Sequence, residues 1–396
     1  MASNSFEEIL SKKSIFQDVS VLSPHFVPEK LPFREEQIGS IMKTISPALK
    51  GQKPRNLFIY GTTGTGKTCC TKWVMEAFNK VNQQAHMLYL NCRVYNSRYR
   101  ILQKVLKEFV PECSKSGFGL TFLYEKLLEL IDKKQQMVVI LDEIDMIKDL
   151  DDLIYTMTRA NDEIRNKGGV SLVGISNRLS FKDALDPRSK SSLSEIEMIF
   201  PPYTSEQLQE ILVQRLNGGF VDGVVTDSAI NLAAAITSQT SGDARYALKL
   251  LLKAGEIAEQ ENKEKLTDEE VEHARRMVEL DLASETIVTL PENHQMVLHA
   301  IAKLTLEGGK YERLEGLEQG FLFSGEVYEE YESVCKKLNK RPRSLRWYKE
   351  YLNDIELLGL ISTKPSSTGI RGHTTLIKLG HPAENILKIV KKILVA

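Results

Sequence analysis

The sequence is poor in cysteine and lacks the long apolar runs of a membrane protein. Its 396 residues include five cysteines, an odd number with no CxxC pair, so neither a disulfide framework nor a zinc site is predicted. No apolar run approaches the roughly 18 residues that span a bilayer. The opening letters MASNSFEEIL lack the basic-then-apolar layout of a secretion signal. We therefore expect a cytoplasmic protein in a reducing compartment, with no membrane partner.

Strong net charge is also missing, but the charge that exists is uneven. The whole chain carries a formal net charge of -1, whereas the segment from Val334 to the end has 13 Lys and Arg against four acids, a net charge of +9. Such asymmetry indicates an anionic partner held at the C-terminal end, although a solvated basic face is the alternative. The length predicts two or three domains, and we find no internal repeat.

A glycine-rich loop follows a short apolar run early in the chain. The letters GTTGTGKT, residues 61–68, fit G-x-x-x-x-G-K-[ST] and stand between a predicted strand and a predicted amphipathic helix. In that setting backbone N–H groups and the helix N-terminus surround phosphate oxygens. Lys67 would reach the β- and γ-phosphates of ATP or ADP, and Thr68 would ligate Mg²⁺. The predicted phosphate-binding residues are Gly61, Thr62, Thr63, Gly64, Thr65, Gly66, Lys67 and Thr68.

An acidic pair ends a second apolar run. In QMVVILDEID, residues 136–145, Asp142 and Glu143 come at the carboxyl end of a predicted buried strand, where open parallel sheets bind ligands. Asp142 would hold Mg²⁺, and Glu143 would orient and deprotonate the attacking water. A third predicted strand, residues 169–177, ends in Asn177, which would touch the γ-phosphate or that water. A simple turn cap is the alternative for Asn177.

These strand ends, together with the letters SGDAR at residues 241–245, resemble the AAA+ ATPases. The resemblance implies that Asn177 is the sensor-one residue and that Arg245 is the sensor-two residue of a helical lid. It also implies an arginine finger acting on a neighbouring subunit, and Arg188 in LDPRSKSSL matches that position. A solvated loop arginine is the alternative for Arg188.

The same resemblance implies that HFVPEKLPFREEQI, residues 25–38, covers the adenine, with Val27, Pro28 and Arg34 as contacts. An ordinary proline-bounded turn is the alternative there.

The C-terminal part of the chain predicts a winged helix. Three amphipathic helices, the second capped by Ser324 and the third burying Leu358 among its apolar residues, precede a hairpin built from LISTK and HTTLIKL. The third helix would enter the major groove of DNA, with the hairpin tip on the minor groove or backbone. A protein-interaction module is the alternative. The predicted DNA contacts of this part are Arg343, Arg346, Lys349, Lys364, Arg371 and His373.

An AAA+ core, a helical lid and a winged helix in this order resemble the archaeal origin-recognition and replication-initiator ATPases, relatives of the eukaryotic origin-recognition and licensing factors. Phrases such as LPFRE, LDEID, FPPY and ELLGLI carry the resemblance over nearly the whole chain. It implies an α/β ATPase core at residues 1–200, a lid at 201–285 and a DNA-binding winged helix at 286–396.

That family also carries a helical insertion that touches DNA. Residues 91–109 lie at the matching place, with Arg93, Ser97 and Arg98 as candidate contacts, although a basic surface helix is the alternative. The implied function is ATP-dependent replication initiation with slow hydrolysis, in the cytoplasm and on the nucleoid. The implied partners are duplex origin DNA, paralogous initiator subunits and the replicative helicase. A signalling switch NTPase, which also joins a P-loop to a winged helix, is the rival, and a clamp-loader subunit is a third reading.

Overall fold

The computed structural model describes residues 14–23, 26–81, 85–115, 117–133, 135–164, 168–178, 181–182, 185–193, 195–309, 321–365 and 375–395. The chain divides into two units, Met1–Val271 and Glu272–Ala396. The division falls inside a long helix, Asp268–Thr289, which also contains the predicted boundary at residue 285. The predicted domain boundaries therefore stay predictions. None of the helices in the described part of the chain is long and apolar enough to cross a membrane.

The first unit contains a five-stranded parallel sheet. Its strands are β1 Leu57–Tyr60, β2 Ala85–Asn91, β3 Gln136–Asp142, β4 Gly169–Ser176 and β5 Ile196–Ile199. They pair in the order β2-β3-β4-β1-β5, and every pairing is parallel. The chain passes from β1 to β2 at the far edge of the sheet and returns strand by strand to β4, beside β1. The order of the strands therefore reverses beside β1, which is where open parallel sheets bind ligands.

Helices flank this sheet on both faces. They are α1 Glu35–Ile45, α2 Lys67–Asn79, α3 Arg98–Lys107, α4 Leu120–Asp132, α5 Leu150–Ala160 and α6 Pro187–Leu193. Successive strand residues point to opposite faces, so Phe58 packs with α3, α4 and α5 while Leu57 and Ile59 pack with α1 and α2. Both faces of the central strands β1, β3 and β4 are buried, as expected of a parallel sheet.

Three further helices form the lid: α7 Ser205–Gly219, α8 Asp227–Thr240 and α9 Ala244–Gln260. Local signals place their starts. Thr204 caps α7 with a reciprocal bond to Gln207, Thr226 accepts the Ala229 N–H at the start of α8, and Asp243 caps α9. The helix that continues into the second unit is α10 Asp268–Thr289.

The second unit is a winged helix, as predicted. Helices α11 Glu292–Glu307, α12 Ser324–Lys337 and α13 Leu345–Leu357 accompany strands β6 Leu322–Phe323, β7 Ile361–Pro365 and β8 Thr375–Leu379, and α14 Ala383–Val395 follows. The strands form an antiparallel sheet in the order β6-β8-β7. The predicted hairpin is β7–β8, and its tip lies outside the described residues.

Two local predictions for this unit were wrong. Ser324 is the first residue of α12 rather than its cap; the backbone N–H before it, of Phe323, donates to the Glu326 carboxylate at 2.7 Å. Leu358 follows the last residue of α13 and is 48% exposed, because the helix ends at Leu357, before this predicted inward position.

Candidate functional site

The phosphate loop leaves β1 at Tyr60 and enters α2 at Lys67, in the strand–loop–helix order that the motif predicts. Its three glycines have positive φ, and a Cβ at any of them would meet a close neighbour. A Cβ at Gly61 would lie 2.4 Å from the Phe200 carbonyl oxygen, and one at Gly64 would lie 1.5 Å from Asp243 Oδ1. A side chain at either position would collide with these groups, so the loop needs glycine there.

Lys67 is buried inside this loop. Its Nζ donates to the carbonyl oxygens of Gly61 at 2.7 Å and Thr62 at 2.6 Å. Burial, followed by the repulsion of the Arg245 guanidinium, lowers the pKa of Lys67 to about 8, while the carboxylates of Asp142 and Asp243 act in the opposite direction. A phosphate anion bound beside Lys67 would oppose these effects and favour the protonated form of the ammonium.

The predicted metal ligands meet at the carboxyl end of β3. Thr68 Oγ1 donates to Asp142 Oδ2 at 2.8 Å, and Asp142 is buried. Tyr89 donates its hydroxyl to the same oxygen at 2.7 Å, and the Glu143 N–H donates to Asp142 Oδ1 at 3.0 Å. A hydroxyl and a carboxylate so placed are the oxygen ligands that Mg²⁺ uses beside a phosphate, so these residues fit the ion.

Glu143 occupies a sharp turn between β3 and the short 3-10 helix Ile144–Met146. Its φ of 56° is in the left-handed region, uncommon for a residue with a side chain. The carboxylate of Glu143 forms an ion pair with the guanidinium of Arg93, which lies two residues after β2. The structure therefore brings Arg93 to the acidic pair beside the phosphate loop, and its predicted contact with DNA stays a prediction.

Asn177 lies one residue beyond β4, at the edge where these groups gather. The parallel register pairs Tyr60 with Ser176, so Asn177 follows β4 where Gly61 follows β1. Ser176 Oγ donates to Asp145 Oδ1 at 3.0 Å, which holds this strand end beside the turn after β3. Asn177 itself is exposed, and its predicted contact with the γ-phosphate or the attacking water stays a prediction.

The lid approaches the phosphate loop through the start of α9. The Ala244 N–H donates to the Gly64 carbonyl oxygen at 3.2 Å, and the Arg245 N–H donates to Asp243 Oδ1 at 2.7 Å. Arg245 is exposed and lines the same cleft as Gly64 and Thr68. The predicted sensor-two residue thus lies over the loop, on an element of the lid.

A cleft lies between the N-terminal segment, the phosphate loop and the lid. Val27 and Pro28, predicted to cover the adenine, line it together with apolar lid residues Ile211 and Leu248. Its mixture of apolar walls with a polar loop is typical of a site for a small ligand such as a nucleotide.

Arg34 has a different setting from Val27 and Pro28. It is 2% exposed, and its guanidinium donates to the carbonyl oxygens of Thr65 at 3.0 Å and Pro201 at 2.7 Å. The same group lies 4.0 Å from the centre of the Tyr203 ring. Arg34 therefore ties the phosphate loop to the segment that leads into the lid, and its predicted contact with adenine stays a prediction.

Arg188 is the second residue of α6 and is exposed. Ser189 beside it is buried, and its N–H donates to Asp186 Oδ1 at 2.6 Å. This bond fixes the start of α6 and leaves the Arg188 side chain pointing outward, as an arginine that acts on another subunit requires.

The predicted DNA contacts of the first unit have structural partners. Ser97 caps α3 by accepting the Arg100 N–H, and Arg98 Nη1 lies 3.4 Å from Thr156 Oγ1 on α5. An Asp152 carboxylate oxygen lies 3.8 Å from Arg98 Nη2. The two contacts of Arg98 attach α3 to α5. The predicted roles of Ser97 and Arg98 on DNA stay predictions.

The structure describes four of the basic residues that are predicted to contact DNA in the winged helix. Arg343, Arg346, Lys349 and Lys364 are exposed, with Lys364 Nζ 5.1 Å from the centre of the Phe321 ring. Arg371 and His373 lie outside the described residues. The structure thus brings a row of positive charge to the start and outer face of α13.

Three family models match successive parts of the chain. One described as an AAA domain matches residues 50–180, the Cdc6 AAA+ ATPase-type lid domain matches 209–276, and the CDC6 C-terminal winged helix domain matches 285–389.

Curated relatives match the chain over nearly its full length. An ORC1-type DNA replication protein of Pyrococcus abyssi is 39% identical over 385 residues, 94% of this chain and 89% of its own. One of Sulfurisphaera tokodaii is 39% identical over 387 residues, 97% of this chain and 94% of its own. The chain belongs to the ORC1-type DNA replication protein family.

Solved structures agree with this membership. The Aeropyrum pernix ORC1 protein in complex with DNA is 33% identical, with a TM-score of 0.75, over 96% of this chain and 98% of its own. The Cdc6p crystal structure from Pyrobaculum aerophilum is 25% identical, with a TM-score of 0.62, over 96% and 99%. The predicted fold, an AAA+ core with a lid followed by a winged helix, is confirmed, and an AAA+ domain implies that this ORC1-type chain binds nucleotide.

Three residues of the site were not predicted. Tyr89 binds Asp142 from β2, a strand that the sequence analysis did not identify. Arg215 on α7 donates to the carbonyl oxygens of Val21 and Phe26, both at 3.0 Å, and Gln214 donates to that of Lys30 at 3.0 Å. No local motif marks these residues, because their partners are distant in sequence and two of them act on backbone carbonyls.

The pKa of Lys67 predicts how nucleotide binding depends on pH. A bound phosphate favours the protonated ammonium, whereas the free protein loses this proton above about pH 8. We expect the apparent affinity for ATP to fall, by up to about tenfold per pH unit, as the pH rises above 8. Calorimetric titration across that range measures it, with adenosine as the control because it has no phosphate. Equal pH dependence for adenosine and ATP would contradict this assignment.

Proposed function

We propose that the chain is an ATP-dependent DNA replication initiator that binds duplex origin DNA and helps to recruit or load the replicative helicase. Slow ATP hydrolysis acts as its switch. The observation that carries the proposal is the presence, in one ORC1-type chain, of a phosphate loop beside an acidic strand end and of a winged helix with an exposed basic row. Its expected partners are origin DNA, paralogous initiator subunits and the helicase.

In the proposed mechanism the chain's residues position ATP and stabilise charge. Lys67 turns from the loop carbonyls to the phosphates, and Glu143 accepts a proton from the attacking water once its carboxylate leaves Arg93. Asn177 orients that water, and Arg245 adds positive charge from the lid. Mg²⁺ held by Thr68 and Asp142 would neutralise phosphate charge.

Replacing the proposed base separates binding from hydrolysis. Glu143→Gln should bind ATP with an affinity close to that of the wild type and hydrolyse it about 100-fold more slowly or worse, because only the proton acceptor is removed. Filter binding and phosphate release measure the two properties. Glu129→Gln, an exposed carboxylate on α4, is the control and should change neither. Wild-type turnover by Glu143→Gln would remove Glu143 from this role.

Arg188 and Arg245 should act in different settings. Arg245 belongs to the cleft of its own chain, so Arg245→Ala should slow hydrolysis at every protein concentration. Arg188→Ala should match the wild type when the protein is dilute and fall behind it only as the concentration rises and subunits meet. ATPase rates over a dilution series measure both. An equal defect of Arg188→Ala at the lowest concentration would argue against a finger.

DNA binding should depend on salt and on α13. Each phosphate contact contributes about -0.9 to the slope of log affinity against log salt, so Lys349→Ala should flatten that slope by about one. Arg346→Ala should reduce the preference for origin over random duplex by about 1–3 kcal/mol, because it would remove a contact to a guanine edge. Fluorescence anisotropy at several salt concentrations measures both effects.

The control for these variants is Lys50→Ala, an exposed lysine of the first unit, which should leave slope and preference unchanged. If the full-length protein failed to bind duplex DNA at low salt, the winged helix would instead be a protein-interaction module. The signalling switch NTPase would then be the better proposal.

A further inference from the structure

Two large apolar side chains stand in solvent at the start of α13. Leu345 is 55% exposed and Trp347 is 52% exposed, and they flank the outward-facing Arg346. The opposite side of the helix enters the core through four buried residues: Tyr348, Tyr351, Leu352 and Ile355. The apolar pair is therefore not part of the core, and α13 keeps it exposed among positive charges.

The indole of Trp347 packs against another aromatic ring on the same helix. Its ring stacks on that of Tyr351, with centroids 6.5 Å apart and planes at 28°. Tyr351 in turn packs on the His294 ring at 4.5 Å, and His294 Nε2 lies 2.9 Å from Asp354 Oδ2. Because the ring is already oriented by these neighbours, contact with a ligand would cost Trp347 little conformational entropy.

The approach to this helix is also fixed. Tyr328 donates its hydroxyl to the Arg343 carbonyl oxygen at 2.9 Å, and the Arg343 N–H donates to the Tyr331 hydroxyl at 3.1 Å. Both backbone groups of one residue, two positions before α13 begins, are thus held by side chains of α12. The first turn of α13, with Arg346 and Trp347, is presented in one position.

The surrounding charge favours DNA over a protein as the ligand of this turn. Four of the nine residues from 341 to 349 are basic and none is acidic. The centres of protein interfaces are depleted of charged residues, whereas this apolar pair lies among four positive charges, and two isolated apolar side chains make a small patch by comparison. The phosphates of DNA complement these positive charges. The Trp347 indole needs in addition an apolar group close to the phosphates.

The major groove offers one such group, the C5 methyl of thymine, and the N-terminal residues of a recognition helix contact base edges there. We propose that Trp347 contacts a thymine methyl and is a specificity-determining residue, an inference that rests on the proposed binding of duplex DNA by α13. Removing a methyl from water stabilises a complex by about 0.8 kcal/mol, which corresponds to roughly fourfold in affinity.

The test compares thymine with uracil in otherwise identical DNA. A duplex is first selected from a random pool by repeated binding to the full-length wild-type protein. It is then made with thymine or with deoxyuridine, which lacks only the C5 methyl. The wild type should bind the uracil version roughly fourfold more weakly for each methyl contacted, as measured by fluorescence anisotropy at fixed salt.

Three variants test whether Trp347 causes the preference for thymine. Trp347→Ala should lower affinity for the thymine duplex and bind both versions equally, whereas Trp347→Phe should keep part of the difference. Leu357→Ala is the matched control, because Leu357 is an 85% exposed apolar residue at the other end of the same helix. It should retain the wild-type ratio, and thermal unfolding should confirm that all three variants are folded.

The outcomes separate this inference from the proposed function. Equal wild-type affinity for both versions would overturn the thymine contact while DNA binding stands. A thymine preference that survives in Trp347→Ala would place the contact on another residue. If the wild type bound neither version at low salt, DNA binding by the chain would itself be wrong, and the exposed apolar pair would belong to a protein interface.

Discussion

The parallel pairing of β4 with both β1 and β3 is the constraint on which the nucleotide site depends. It aligns Tyr60 with Ser176 and Asp142 with Ile175, so the three strands end at one edge. The glycine loop and Asn177 directly follow β1 and β4, and the acidic pair stands at the end of β3. Residues far apart in sequence therefore meet because backbone hydrogen bonds set the register. A shift of one residue would turn the side chains to the opposite face of the sheet.

Buried arginines join the loop to the elements around it. Arg34 donates to the carbonyl oxygens of Thr65 and Pro201. Arg215 on α7 donates to those of Val21 and Phe26 in the N-terminal segment. Burial lowers the pKa of Arg215, and each guanidinium is balanced by backbone carbonyls and a neighbouring aromatic ring rather than by a carboxylate. Such contacts tie the walls of the cleft to one another.

The winged helix uses an aromatic cluster where the first unit uses strand register. Tyr328, Tyr331 and Tyr348 lie within 6.3 Å of one another, measured between ring centroids. Their hydroxyls bond the backbone at Arg343 and Ser324, which fixes both the entry to α13 and the start of α12. The exposed basic row owes its position to these buried rings.

By itself the sequence determined the phosphate loop, the acidic strand end, the lid helices and the three helices and hairpin of the winged helix. Each depends on local spacing: glycines with positive φ, apolar periodicity, or a cap such as Thr226. The sequence did not reveal β5, the pairing of Arg93 with Glu143, or the structural role of Arg34. These were decided by the tertiary structure, because each depends on groups brought together across 31 to 167 positions, separations that no local pattern encodes.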